Sequence, residues 1–255
     1  MKRFTSAASG MPKALLTVGT GALLAALTVA GVSAADGGPP VAPTIRTTGI
    51  DVDIKPREIS VERAERALKH AGLAVPEGWR PVHTRRERHD ERPVTVVRYE
   101  PGTTRTLGGE HLTVVVDDKG TLLGYTRLTA ATAGRPRPQA DRAERAAFDW
   151  LRGFAAEHAA GLDVQWVDQH DEEIRDKAGR KRVVTGTKVK TRHPNGLYTW
   201  VIVGDRGTVL AYERDVRWDG GAGRRGTEMW LHDRWIAAHE GTGPQPDAPY
   251  ALARR

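Results

Sequence analysis

The sequence predicts an α+β protein built from two repeats, each with one helix packed on a four-stranded antiparallel meander, plus a C-terminal helix. Three observations carry this. "LTVVVDDKGTLLGYTR" (112–127) aligns without gaps on "TWVIVGDRGTVLAYER" (199–214) at an offset of 87 residues. "RAERA" occurs at 63–67 and again at 142–146, each time ahead of a run of strand-like segments. Turn residues divide each run into four.

The 255 residues hold 39 Lys and Arg against 32 Asp and Glu, and no Cys. Lys2, Arg3 and Lys13 precede an apolar stretch from Ala14 to Val32, and Val32-Ser33-Ala34 supplies small residues for signal peptidase. Residues 1–34 therefore read as a leader for the general secretory route, and the chain as secreted or held in the cell envelope. Left uncleaved, the same stretch is long enough to anchor in a membrane. Without the leader, 36 basic residues face 32 acidic ones, a net +4. Because the arginines at 85–92 are interleaved with acids, no nucleic-acid partner is expected. An exported chain without Cys depends on its core alone, with no disulfides.

Residues 35–56 are rich in Gly and Pro and read as a linker, with a short strand at 50–54. In the first repeat, 57–134, Ser60 is expected to cap a helix with Val61, Ala64, Ala67, Leu68 and Ala71 on one stripe, stopped by Gly72. Strands follow at 79–88, 93–100, 110–116 and 121–128. In the second repeat, 135–217, Asp141 is expected to cap "RAERAAFDWLRGFAAEH". Strands follow at 163–174, 181–192, 197–203 and 208–216, with Asn195-Gly196 a strong hairpin signal. Gly120 and Gly207 close equivalent turns and are expected at positive φ. Residues 218–255 have no counterpart after the first repeat. There Gly220, Gly221, Gly223 and Gly226 surround Arg224 and Arg225, and a helix is expected from Thr227 with Trp230, Leu231, Arg234, Trp235 and Ala238 on one broad side.

A helix opening at "SVERAERAL", followed by strands ending in "VVVDDKGTLLGY" or "VIVGDRGTVLAY", resembles the PepSY module. Its usual ending is apolar-x-apolar-Asp-x-x-Gly-x-apolar-x-x-Tyr. Asp118, Gly120 and Tyr125 match it in one copy, and Asp205, Gly207 and Tyr212 in the other. The likeness covers 57–217. It implies a secreted or envelope module of bacteria, found in metallopeptidase propeptides and in standalone proteins that inhibit or modulate peptidases. It offers no catalytic residues to carry over, and no peptidase domain follows the repeats here.

Past the leader Ser60 is the sole serine, and with no Cys the common nucleophiles are missing. Neither His-Glu-x-x-His nor Gly-x-x-x-x-Gly-Lys occurs. Glu213 and Asp215 stand two apart on a strand, so they share a face and form a candidate carboxylate pair. His89-Asp90-Glu91 and His170-Asp171-Glu172-Glu173 are candidate metal ligands, more simply read as polar turns. No catalytic residue, metal or cofactor is expected. Arg224 and Arg225, framed by glycines at a helix start, are the candidate contacts for an anion or partner. Trp230 and Trp235 are expected in the core. The sequence thus suggests an exported, non-enzymatic binding protein whose partner is a secreted or envelope protein, with a peptidase as the candidate. The alternatives are an envelope structural or anionic-ligand-binding protein, and an enzyme with an unrecognised carboxylate or metal site.

Overall fold

The structure is a computed structural model describing residues 56–253. The expected leader and the strand at 50–54 lie outside the described residues. Among the described residues no helix is long and apolar enough to cross a membrane.

The chain runs α1 (Pro56–His70), β1 (Arg80–His89), β2 (Arg92–Glu100), β3 (His111–Asp117), β4 (Leu122–Leu128), α2 (Ala140–Phe154), α3 (Ala156–Ala160), β5 (Asp163–Arg175), β6 (Lys181–Arg192), β7 (Tyr198–Val203), β8 (Val209–Val216), β9 (Trp218–Asp219), β10 (Arg224–Arg225) and α4 (Asp233–His239). The eight long strands start and stop within two residues of the expected places, but their assembly corrects the expected fold class. There are not two separate helix-on-meander units. One antiparallel sheet of eight strands dominates the molecule, in the order β1-β2-β3-β4-β8-β7-β6-β5.

The join explains the difference. An isolated meander would leave β4 and β8 as open edges with unpaired backbone groups. Here each satisfies the other. Tyr125 pairs with Tyr212, Gly124 with Glu213 and Thr126 with Ala211. Since 125 and 212 are equivalent in the repeated hairpin, the seam pairs like with like, as at a two-fold isologous interface. The bulges obey the same relation. The register slips between Val115 and Val116 in one hairpin and between Ile202 and Val203 in the other, again 87 apart.

Gly120 (φ +85°) and Gly207 (φ +78°) both occupy the left-handed region at their turns. The turns close differently. Asp117 Oδ1 accepts from the amides of Lys119 and Thr121. Its counterpart, Gly204, has no side chain to do so, and a Cβ there would lie 2.8 Å from Leu210. In the second turn Arg206 also takes positive φ (55°).

Helix starts depart from expectation. α1 opens at Pro56, where a missing N–H costs nothing, so Ser60 lies inside the helix and is not its cap. α2 opens at Ala140 after Gln139, which places Asp141 in the first turn, where it favours the helix dipole and pairs with Arg145 at 2.9 Å. Gly72 does end the α1 region, at φ +67°, with Leu73 N donating to Leu68 O.

Both helices lie on one face of the sheet. Ala64, Leu68, Ala143, Ala147 and Leu151 pack on Val97, Val114, Val116, Val189, Val201 and Val203 in one core spanning the seam. Burying each Val or Leu contributes about 1.5–3 kcal/mol. Trp150 Nε1 donates to the Ala71 carbonyl at 2.7 Å, which ties α2 to the end of α1. The Trp150 ring meets Tyr212 edge-on at 5.1 Å.

The opposite, outer face is covered unequally. Over the first half lies the C-terminal segment. Met229, Trp230, Leu231, Trp235, Ile236 and Ala238 pack on Val94, Val96, Val115 and Leu123. Trp235 is 1% exposed and Trp230 3%. Helix α4 starts at Asp233, not at Thr227. The Thr227 hydroxyl is already engaged, donating to Asp90 and accepting from Arg217 N, so it is not available to cap.

Candidate functional site

Strand alternation decides what reaches the outer face of the second half. On β6, Thr187, Val189 and Thr191 turn toward the helices, and Val184, Gly186, Lys188 and Lys190 turn outward. Tyr198, Trp200 and Ile202 of β7 share the outward side, as do Trp166, His170 and Glu172 of β5 and Glu213 of β8. Gly186 is required by packing, since a Cβ there would sit 2.5 Å from Ile202.

This face carries an aromatic and lysine ladder. Lys188 Nζ lies 4.0 Å from the Trp200 ring and 5.8 Å from Trp166. Lys190 Nζ lies 4.5 Å from Tyr198, 5.0 Å from Trp218 and 5.6 Å from Trp166. Neither ammonium makes a hydrogen bond or ion pair with a described residue; the rings are their neighbours. Burial lowers Lys188 to about 8, with Glu213 opposing the shift. Burial also lowers Lys190. Trp166 remains 44% exposed, an unusual fraction for so large a ring on a sheet face.

Beside the ladder a cleft of about 570 Å³ runs between β5–β6 and the C-terminal segment, lined among others by His111, Glu172, Arg175, Lys181, His232 and Tyr250. A charged network reaches it through Glu172 and His232. Arg225 Nη1 meets Glu213 at 2.5 Å, and His232 Nε2 meets the same carboxylate at 3.0 Å. Glu172 lies 3.8 Å from the other His232 nitrogen and 2.9 Å from His170. Burial pushes the Glu213 carboxyl up, but Arg225 and His232 outweigh it and hold the group well below the usual carboxylate range. Glu213 is therefore a fixed anion that anchors the C-terminal segment, not a proton donor.

The residues singled out in the sequence separate. Arg225 is 3% exposed, and its guanidinium also donates to the carbonyls of Thr227 and Glu228. It is committed internally and is not the exposed contact expected. Arg224 is half-buried on the short β9–β10 hairpin, with Nη1 3.5 Å from the Tyr250 carbonyl. Glu213 and Asp215 do not act as a pair. Asp215 takes φ +59°, which breaks the alternation, and it faces Arg92 at 3.2 Å. His89 is buried, with Nε2 at 3.0 and 3.1 Å from the carbonyls of Arg214 and Asp215. Asp90 holds the C-terminal segment through Arg217 and Thr227. Glu173 pairs with Lys181. Among the described residues no three His, Asp or Glu side chains are placed to hold a metal ion.

Sequence reasoning misses the ladder, although a signal is present. "TKVKTR" puts lysines at alternate positions, and its hairpin neighbours "VQWVD" and "LYTW" bring aromatic residues to the same side. No family model matches the chain, and no curated protein matches it.

Proposed function

We propose that this is an exported, non-enzymatic binding protein whose partner docks on the outer face of the second half, over Trp166, Lys188 and Lys190. One observation carries the reading: a large exposed aromatic ring is flanked by two lysines that have no ion-pair partner of their own. Tryptophan is the residue most enriched at binding hot spots, and unpaired ammonium groups beside it favour an acidic partner surface. The PepSY-like motifs suggest a secreted peptidase as that partner.

The test is differential capture. The intact protein, Trp166→Ala and Lys190→Glu serve as baits against culture supernatant, with mass spectrometry of what each retains. A protein held by the first and lost by both variants supports the reading, and its release should follow rising salt. Identical captured sets from all three baits would remove this face from consideration.

A further inference from the structure

The repeated hairpin preserves polar residues beside its turn and at the end of its second strand. Arg127 and Thr121 recur as Arg214 and Thr208, and the turn cation Lys119 recurs as Arg206. The seam brings them together crosswise. Arg127 of β4 shares a cavity of about 250 Å³ with Asp205, Arg206 and Thr208 of the β7–β8 turn, and with Thr132 and Arg135 from the connection between the halves. The symmetry-related cavity, about 400 Å³, joins Arg214 of β8 to Lys119 and Thr121 of the β3–β4 turn.

The two cavities differ in charge. The second is also lined by Arg92, Asp117, Asp118 and Asp215, so three cations meet three carboxylates. Arg214 Nε lies 3.6 Å from Asp215, and Arg92 reaches both Asp215 and Asp117. The first holds Arg127, Arg135 and Arg206 against Asp205 alone. Asp205 lies 3.7 Å from Arg206 Nε. Arg127 makes no hydrogen bond or ion pair with any described residue; the Nε of both Arg127 and Arg214 is sealed from solvent without an acceptor, so the two sites differ in the carboxylates around them. With no carboxylate in ion-pair reach, the remaining donors of Arg127 are left for an anion that enters the cavity from solvent.

We infer that the Arg127 cavity binds a phosphate-type oxyanion, and that the Arg214 cavity is its self-neutralised copy. The guanidinium fork of Arg127 offers two parallel donors, the geometry that suits phosphate oxygens. Arg206 and Arg135 supply the rim charge; the hydroxyls of Thr132 and Thr208 already donate to the carbonyls of Thr129 and Asp205 and take no part.

Calorimetric titration of the full chain at fixed ionic strength tests this, with inorganic phosphate and dimethyl phosphate as separate probes. Saturable binding of at least one probe is expected. Tighter inorganic phosphate points to a free or terminal phosphate, and tighter dimethyl phosphate to a phosphodiester chain. Arg127→Ala should weaken binding about tenfold or more, as the loss of a charge-assisted contact does. Arg206→Glu is a second variant that leaves folding intact, because Arg206 is 88% exposed at its side chain, and it should weaken binding as much. Arg214→Ala should leave affinity within about twofold, since its cavity is neutral already. Failure of both probes to saturate, unchanged affinity in Arg206→Glu, or an equal loss in Arg214→Ala would overturn the assignment. None of these outcomes depends on a partner docking over Trp166.

Discussion

The two halves of the sheet share a hairpin, a bulge and a helix, yet their outer faces have opposite fates. In the first half the face is sealed, and its charges are paired beneath the seal. Arg98 is 3% exposed and is held by Glu100 at 2.5 Å and by Asp233 at 2.7 and 3.0 Å. In the second half the face is only partly covered: Trp200 and Ile202 are buried, Trp166 is exposed, and Lys188 and Lys190 lie against rings, with Glu213 acting on Lys188 from beyond ion-pair distance. Where charge is buried for structure, the chain supplies its counter-charge. Where no ion pair forms, as at Lys190, the proposed partner would supply the counter-charge.

The comparison breaks most readily at the seal. Trp230 and Trp235 stack edge-on at 4.8 Å, and Trp230 Nε1 donates to the Arg88 carbonyl at 2.7 Å. Replacing either with Ala should cost about 3–5 kcal/mol, and the double variant should not remain folded. Urea unfolding followed by circular dichroism measures this. A double variant within about 1 kcal/mol of the parent would mean that the segment lies on the sheet without stabilising it.

Next comes the link between the seal and the open half. Glu213→Gln leaves Arg225 buried without its counter-charge, and breaking such a pair costs about 3–5 kcal/mol. The expected loss sits at the lower end, because Arg225 keeps two carbonyl acceptors. Glu213→Gln combined with Arg225→Met should recover part of the loss, because no charge is then stranded. No recovery in the double variant would assign Glu213 a role other than pairing.

The smaller comparison concerns the turns. Gly120→Val and Gly207→Val each force a β-branched residue to positive φ, at about 1–2 kcal/mol. The second should cost no less than the first. Asp117 braces its turn with two side-chain bonds, whereas the Gly204 turn has one, from the Thr208 hydroxyl to the Asp205 carbonyl, and already holds Arg206 at φ +55°. Unchanged melting temperatures for both variants would contradict the positive φ at these sites.

Much of the fold is legible in the residues themselves. Val114, Val116, Val201 and Val203 announce strands by alternation, and Gly120 and Gly207 announce turns by chemistry. These signals are local. The fusion of β4 with β8 is not legible, because edge pairing is a long-range choice and Tyr125 and Tyr212 look like ordinary core residues. The tyrosine that both hairpins carry at the seam is its trace. Arg225 misleads for a related reason. Glycines on both sides suggest an exposed loop, yet Glu213, twelve residues away in sequence, draws the guanidinium inside. Thr227 has the chemistry of a cap, but Asp90, 137 residues distant, claims its hydroxyl.

The smallest expected effect is also the sharpest test of the contrast between the faces. Trp166 sits on edge strand β5, paired with Lys190 and open to solvent. Cutting it to Ala removes ring contact with Lys188 and Lys190 at 5.8 and 5.6 Å, interactions that at exposed sites contribute about 0.5–1 kcal/mol each. Both lysines keep their other rings, Trp200 and Tyr198. Both contacts lie near the outer limit of such interactions, so stability should change by about 1 kcal/mol or less, against several for Trp230 or Trp235. Such a result would agree with the proposed docking face over Trp166. Should Trp166→Ala instead destabilise the protein by more than about 2 kcal/mol, the ladder would belong to the fold, and the two faces would differ in covering but not in purpose.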